Sequence, residues 1–206
     1  MSADRRLRRT PALLLAVLAA LLAGCDGSGQ EGNEFVFLTV DGFSTGGSGS
    51  VGVVTSSLEA RNTSTLVCVT LRNNLKNPTV TAPTGLDNVL ILSYTVKLTR
   101  FDGGPAPGPF TFAASFTVPA GTVSNGTISG NTANAAIVLV PAQAKNEPPL
   151  STAGLPVAAN AEVVFKGRDG RGEPVQTEGA ITVSFVASGT DTLVSCGGVS
   201  APSPSP

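Results

Sequence analysis

The chain has 206 residues, with 13 Lys+Arg against 14 Asp+Glu, one Tyr, three Cys and neither His nor Trp. The absence of histidine excludes Ser-His-Asp and Cys-His catalysis, imidazole zinc ligands and the usual general base near neutral pH. Charged residues make up 13% of the chain, about half the ordinary share, and this balance suits a β-rich exported domain and not a nucleic-acid binder.

Arg5, Arg6, Arg8 and Arg9 form a basic stretch, and residues 11–23 an apolar run too short to serve comfortably as a permanent membrane helix. Residues 1–24 therefore read as a secretory signal peptide. The run ends in Leu22-Ala23-Gly24-Cys25, which resembles the lipobox of bacterial lipoproteins. In that motif small residues fit the signal peptidase, and the cysteine thiol takes a diacylglyceryl group before cleavage. The resemblance makes Cys25 the lipidated first residue of the mature chain. The competing reading is a plain secreted protein with a cysteine at its cleavage point, while a twin-arginine export signal has only the arginines in its favour. Cleavage removes four arginines and Asp4, leaving 9 basic against 13 acidic residues, a net charge of about −4. Two acyl chains on the diacylglyceryl group suffice for stable anchoring. The expected location is the bacterial cell envelope, with the body lipid-anchored to a membrane and facing the periplasm or the cell exterior. Asp26 resembles the inner-membrane retention signal of enteric lipoproteins, but that rule does not transfer to all bacteria, so inner and outer membrane both stay open.

The lipidated cysteine and a polar, glycine-rich tether occupy residues 25–33, with a root-mean-square span of about 15 to 17 Å. From residue 34 to 199 the chain alternates short β-branched runs with Gly, Pro, Asn and Asp clusters, the spacing of an antiparallel β-sandwich. Strands are expected at 34–40, 51–55, 64–72, 89–101, 110–118, 135–140, 159–168 and 177–187, within a total of about 7 to 9, and no amphipathic helix is expected. Ile181, Val183 and Phe185 alternate with Thr182 and Ser184 and define one inward face, whereas the run from Leu66 to Leu71 reads as buried on both sides. Asp169, Gly170 and Gly172 supply the turn chemistry of a hairpin; Asp169 and Glu173 alone fall well short of the six or more oxygens calcium needs. Residues 41–50, 102–109 and 141–158 read as connections, and 200–206 as a disordered Pro/Ser tail.

With Cys25 committed to lipid, Cys68 and Cys196 remain, and two cysteines in an exported body point to a disulfide. It would close a loop of about 128 residues and contribute about 4 to 5 kcal/mol on a chain-entropy argument. The alternative for Cys68 is an inert buried thiol. Neither cysteine has the basic neighbours or Cys-x-x-Cys spacing of a reactive or metal-binding thiol, so no metal and no cofactor is expected.

The segment 144–150 (Ala-Lys-Asn-Glu-Pro-Pro-Leu), the run 161–175 and then 179–185 resemble the C-terminal half of uncharacterised bacterial lipoproteins with an immunoglobulin-like sandwich. Upstream, Leu92-Ser93-Tyr94-Thr95-Val96 and Arg100-Phe101-Asp102-Gly103 resemble the central strand of the same group, so that the likeness covers about residues 64–187. It implies an all-β, immunoglobulin-like antiparallel β-sandwich and no catalytic residues. Unlike antibody domains, the chain has no core tryptophan, and a Cys68–Cys196 bond would not join the usual strands.

The function expected is that of a non-catalytic binding or structural module whose partner is a protein of the cell envelope, reached through loops 102–109, 119–134 and 141–158. A carbohydrate- or small-ligand-binding module is the alternative, with only Tyr94 and nine phenylalanines as aromatic faces, most of them read as core. An enzyme is the least favoured reading, because Asp87, Lys97, Asp102, Lys145, Glu147 and Lys166 show no motif spacing. Lys145 and Glu147, before two prolines, read as a solvated corner with at most a weak local ion pair.

Overall fold

A computed structural model describes residues 35–46, 50–76, 83–124, 127–189, 191, 194 and 196, all within the unit Gly32–Pro206. The signal peptide, Cys25, the tether and the Pro/Ser tail lie outside the described residues. The fold is all-β. Among the described residues ten strands follow in order: β1 (Val36–Ser44), β2 (Val53–Ser57), β3 (Thr65–Leu75), β4 (Val89–Arg100), β5 (Phe110–Val118), β6 (Thr122–Ser124), β7 (Thr127–Ser129), β8 (Asn131–Val140), β9 (Val157–Asp169) and β10 (Pro174–Val186). A five-residue helix, α1 (Ala142–Asn146), lies between β8 and β9, and a 3-10 turn, Gly85–Asp87, precedes β4. All eight expected strands are present. The short β6–β7 ribbon and α1 were not expected, because runs of three to five residues are too brief to set up a periodicity.

One sheet has the order β1-β3-β8, and a second, curled into a half-barrel, has the order β2-β10-β9-β4-β5. Among the described residues all pairings are antiparallel except one: β2 runs parallel to β10. This corrects the purely antiparallel expectation. Hydrophobic alternation sets which face is buried but carries no information about strand direction, and β2 reaches β10 across the whole sequence and not through a hairpin.

Both sheets bury side chains in one core: Val67, Val69 and Leu71 of β3 and Ile137 and Leu139 of β8 share a cluster with Val163 and Phe165 of β9 and Ile181, Val183 and Phe185 of β10. β9 alternates without a break, burying Val157, Ala159, Ala161, Val163, Phe165, Gly167 and Asp169. On β3 the run is buried less evenly than expected, with Leu66 and Thr70 half-exposed and Cys68 buried. Elsewhere single-residue irregularities reset the parity. In β4 the register shifts between Ile91 and Ser93, so the core takes Val89 and Ile91 before it and Tyr94, Val96 and Leu98 after it, while Leu92 is left exposed. In β1 a shift between Val40 and Gly42 likewise follows Val36 and Leu38 with Phe43. An inserted residue turns every later side chain to the other face. The β4 bulge is fitted by Gly167 on β9, where a Cβ would run into the Leu90 carbonyl.

Tyr94 closes the seam between the sheets. It is buried, and its hydroxyl oxygen accepts a 2.9 Å hydrogen bond from the Val138 backbone N–H on β8, the edge strand of the other sheet. Its ring stacks on Phe112 at 5.1 Å and tilts against Phe165 at 5.9 Å. This burial removes Tyr94 as an exposed face for sugar stacking. Burial pushes the phenol up to about 12 against the opposing pull of the Val138 N–H. Because the folded value lies above the ordinary 10.0, the stability this adds is complete below pH 10 and lost as pH rises towards 12. Since the chain holds one tyrosine and no tryptophan, ultraviolet titration reads this group directly: tyrosinate absorbance is expected to stay absent at pH 10.5 in the native protein and to develop near pH 10 in urea.

Candidate functional site

The strand registers sort the loops to two ends. Val36 lies opposite Leu75, Val89 opposite both Val118 and Asp169, and Asn73 opposite Asn131. One end therefore holds Phe35, the 3-10 turn, the β6–β7 ribbon and the hairpin at 169–174. Val96 pairs with Phe110, Arg100 with Ala159, Val186 with Ser57 and Thr65 with Val140, which places the loops 58–64, 101–109 and 141–156 and the segment after β10 at the other end. Of the three loops expected to bind, 102–109 and 141–158 share an end. The third, 119–134, is at the opposite one, and much of it is strand: β6, β7 and the start of β8.

The end nearest Phe35 is organised by buried charge. Asp87 closes a capping box with Thr84, whose backbone N–H donates to Asp87 Oδ2 at 2.8 Å. Arg171 Nη1 donates to Asp87 Oδ1 at 2.8 Å and lies 3.5 Å from Asp169, while its guanidinium covers the Phe35 ring at 4.0 Å. Asp169 Oδ1 accepts from the N–H groups of Arg171 and Glu173, each at 2.9 Å, and Gly172 adopts φ +91. The carboxylate thus serves the turn, as the residue chemistry implied. Beside it, buried Asn73 of β3 donates its amide to the Asp87 and Val118 carbonyls, stitching one sheet to the other.

The opposite end holds a loop cross-linked by side-chain hydrogen bonds. Arg100 Nε donates to Asp102 Oδ1 at 2.9 Å and Nη2 to Oδ2 at 2.5 Å, a two-point pairing, while Nη1 donates to the Pro105 carbonyl. Asp102 Oδ1 also accepts from the Gly104 N–H. The Arg100 hydrogen bond, followed by that N–H, holds the Asp102 carboxyl below its ordinary value. Gly104 lies so close over the guanidinium that a Cβ would come within 2.8 Å of Arg100 Cζ. Phe101, between the paired residues, is 65% exposed, the most exposed of the large apolar side chains among the described residues.

The six ionisable residues singled out from the sequence do not converge. Asp87 and Asp102 are at opposite ends, Lys97 and Lys166 are exposed on β4 and β9, and Glu147 accepts a hydrogen bond from Gln143. Lys145 corrects the expectation of a solvated corner: its side chain is fully buried, with Nζ against Asp191 Oδ2. Residue order on a short helix does not reveal this, because the covering segment comes from beyond β10, 46 residues later. Cys68 and Cys196 are disulfide-bonded, with 5.6 Å between Cα atoms. Among the described residues no group of three or more His, Cys, Asp or Glu is placed to hold a metal ion. No family model, curated protein or solved structure matches the chain.

At Asp87 burial raises the carboxyl pKa, but the Thr84 N–H and Arg171 together outweigh it and hold the group below its ordinary value of 3.8. A depressed carboxyl contributes stability that is complete above pH 3.8 and lost as pH falls through the folded value. Asp87→Asn is therefore expected to cost about 1.5 to 3 kcal/mol at pH 7, with the difference from wild type shrinking below pH 3.8. Urea midpoints measured against pH test this.

Proposed function

We propose that the chain is a lipid-anchored lipoprotein of the bacterial envelope whose body, an immunoglobulin-like sandwich, is a non-catalytic binding module. Cys25 carries the anchor, the tether leads to Phe35, and the body presents its far end to an envelope protein. The observation that carries this reading is Phe101. It stands exposed on a loop braced by Arg100 and Asp102, at the end of the strands opposite Phe35. A preorganised aromatic residue gives much contact area at little entropic cost, which is what a protein-binding anchor needs. Loop 141–156 lies at the same end and extends the surface. The scatter of the ionisable residues supports a binding role over a catalytic one, and the buried Tyr94 leaves little aromatic platform for sugar stacking.

In-cell crosslinking with purification through the C-terminal tail, followed by mass spectrometry, tests the reading. Recovery of one envelope protein in near-stoichiometric amount is expected, falling about tenfold or more in Phe101→Ala. Equal recovery from the variant contradicts the assignment of this end. A Cys25→Ala chain that remains in the membrane fraction contradicts the anchor.

A further inference from the structure

We propose that Lys145 and Asp191 condense to an intramolecular isopeptide bond. Lys145 is fully buried, and the Asp191 side chain, 5% exposed, lies directly against its Nζ. Burying such a pair strips both ions of water, a cost repaid only where the remaining donors and acceptors are satisfied. Here the fit favours an amide over an ion pair. An ammonium has three donors, and among the described residues its acceptors are Asp191 and the Ala60 carbonyl, the latter at 3.4 Å. A secondary amide has a single N–H, which the Ala60 carbonyl is placed to accept. Its single carbonyl oxygen would be Asp191 Oδ1, which already receives the Ser57 backbone N–H at 2.9 Å.

The same contacts assign the reaction. The ammonium first gives a proton to Oδ2, leaving a neutral amine and a neutral acid. The Nζ lone pair then forms a bond to Asp191 Cγ, and the Ser57 N–H stabilises the negative charge that develops on Oδ1. The nitrogen then gives a second proton to Oδ2, the oxygen it lies against, which also receives the Thr63 hydroxyl at 3.3 Å. The Cγ–Oδ2 bond breaks, and Oδ2 leaves as water with the bonding pair. Nothing is oxidised or reduced, and no further reactant is needed. Holding the reacting groups in contact within a closed site replaces an activating cofactor by proximity. The product would join the helix after β8 to the segment after β10 and so fasten the two sheets covalently.

Peptide mapping of the purified full chain, denatured, reduced and digested with trypsin, decides the matter. With Lys145 acylated, trypsin cannot cut after it, so residues 101–166 are expected to stay joined to residues 172–206. The joined species should be lighter than the two separate peptides by one water, with fragment ions placing the link at Lys145 and Asp191. Asp191→Ala should lose this species and release 101–145. Should that variant fail to fold, the wild-type digest suffices: unlinked 101–145 and 172–206 from protein whose Cys68–Cys196 bond has formed would overturn the proposal, as would a link to any other acid.

Discussion

The Cys68–Cys196 bond is the constraint on which the closure of this fold depends. β10 ends in the half-barrel sheet, yet the chain beyond it is bonded to Cys68 in β3, the middle strand of the other sheet. Cys68 shares its strand parity with the half-exposed Leu66 and Thr70 and not with the core residues Val67, Val69 and Leu71. Closing so long a loop removes much of the freedom of the unfolded chain, so the bond stabilises the fold mainly by making the unfolded state less favourable. Lys145 depends on the same covering segment, because Asp191 is the residue against which its Nζ is buried.

A second constraint acts within the sheets. Two layers can share one core only if each strand turns a continuous apolar row inward, and β1 and β4 do so only by shifting register part-way along. The price is an exposed Leu92 and a position on β9 where only glycine fits. Tyr94 and Asn73 then carry hydrogen bonds across from one sheet to the other, at groups that would be costly to bury unpaired. These polar stitches let strands from both ends of the sequence meet with no break in the core.

How much of this was legible depends on the range of the interactions involved. β10 could be read because its alternation is local: Ile181, Val183 and Phe185 point inward as their spacing implied. The hairpin chemistry of Asp169 and Gly172 was equally local, and the pairing of Cys68 with Cys196 followed from their number. The bulge at Leu92 was not legible, since an extra residue in one strand is defined only against its neighbours. Nor was the parallel pairing of β2, the burial of Tyr94 or the fate of Lys145, each of which is decided by residues dozens of positions away. Among the candidate binding features, Phe101 was visible only as part of a strand end; its exposure and the Arg100–Asp102 pairing that flanks it were not.

The disulfide closure is tested most directly by comparing urea unfolding of the oxidised protein with that of the double variant Cys68→Ser, Cys196→Ser. The expected result is a loss of about 4 to 5 kcal/mol, with hydrogen exchange at the β3 amides, Thr65 to Leu75, rising well above that at the β9 amides. Equal stability, or equal protection of β3 in the two proteins, would contradict the account.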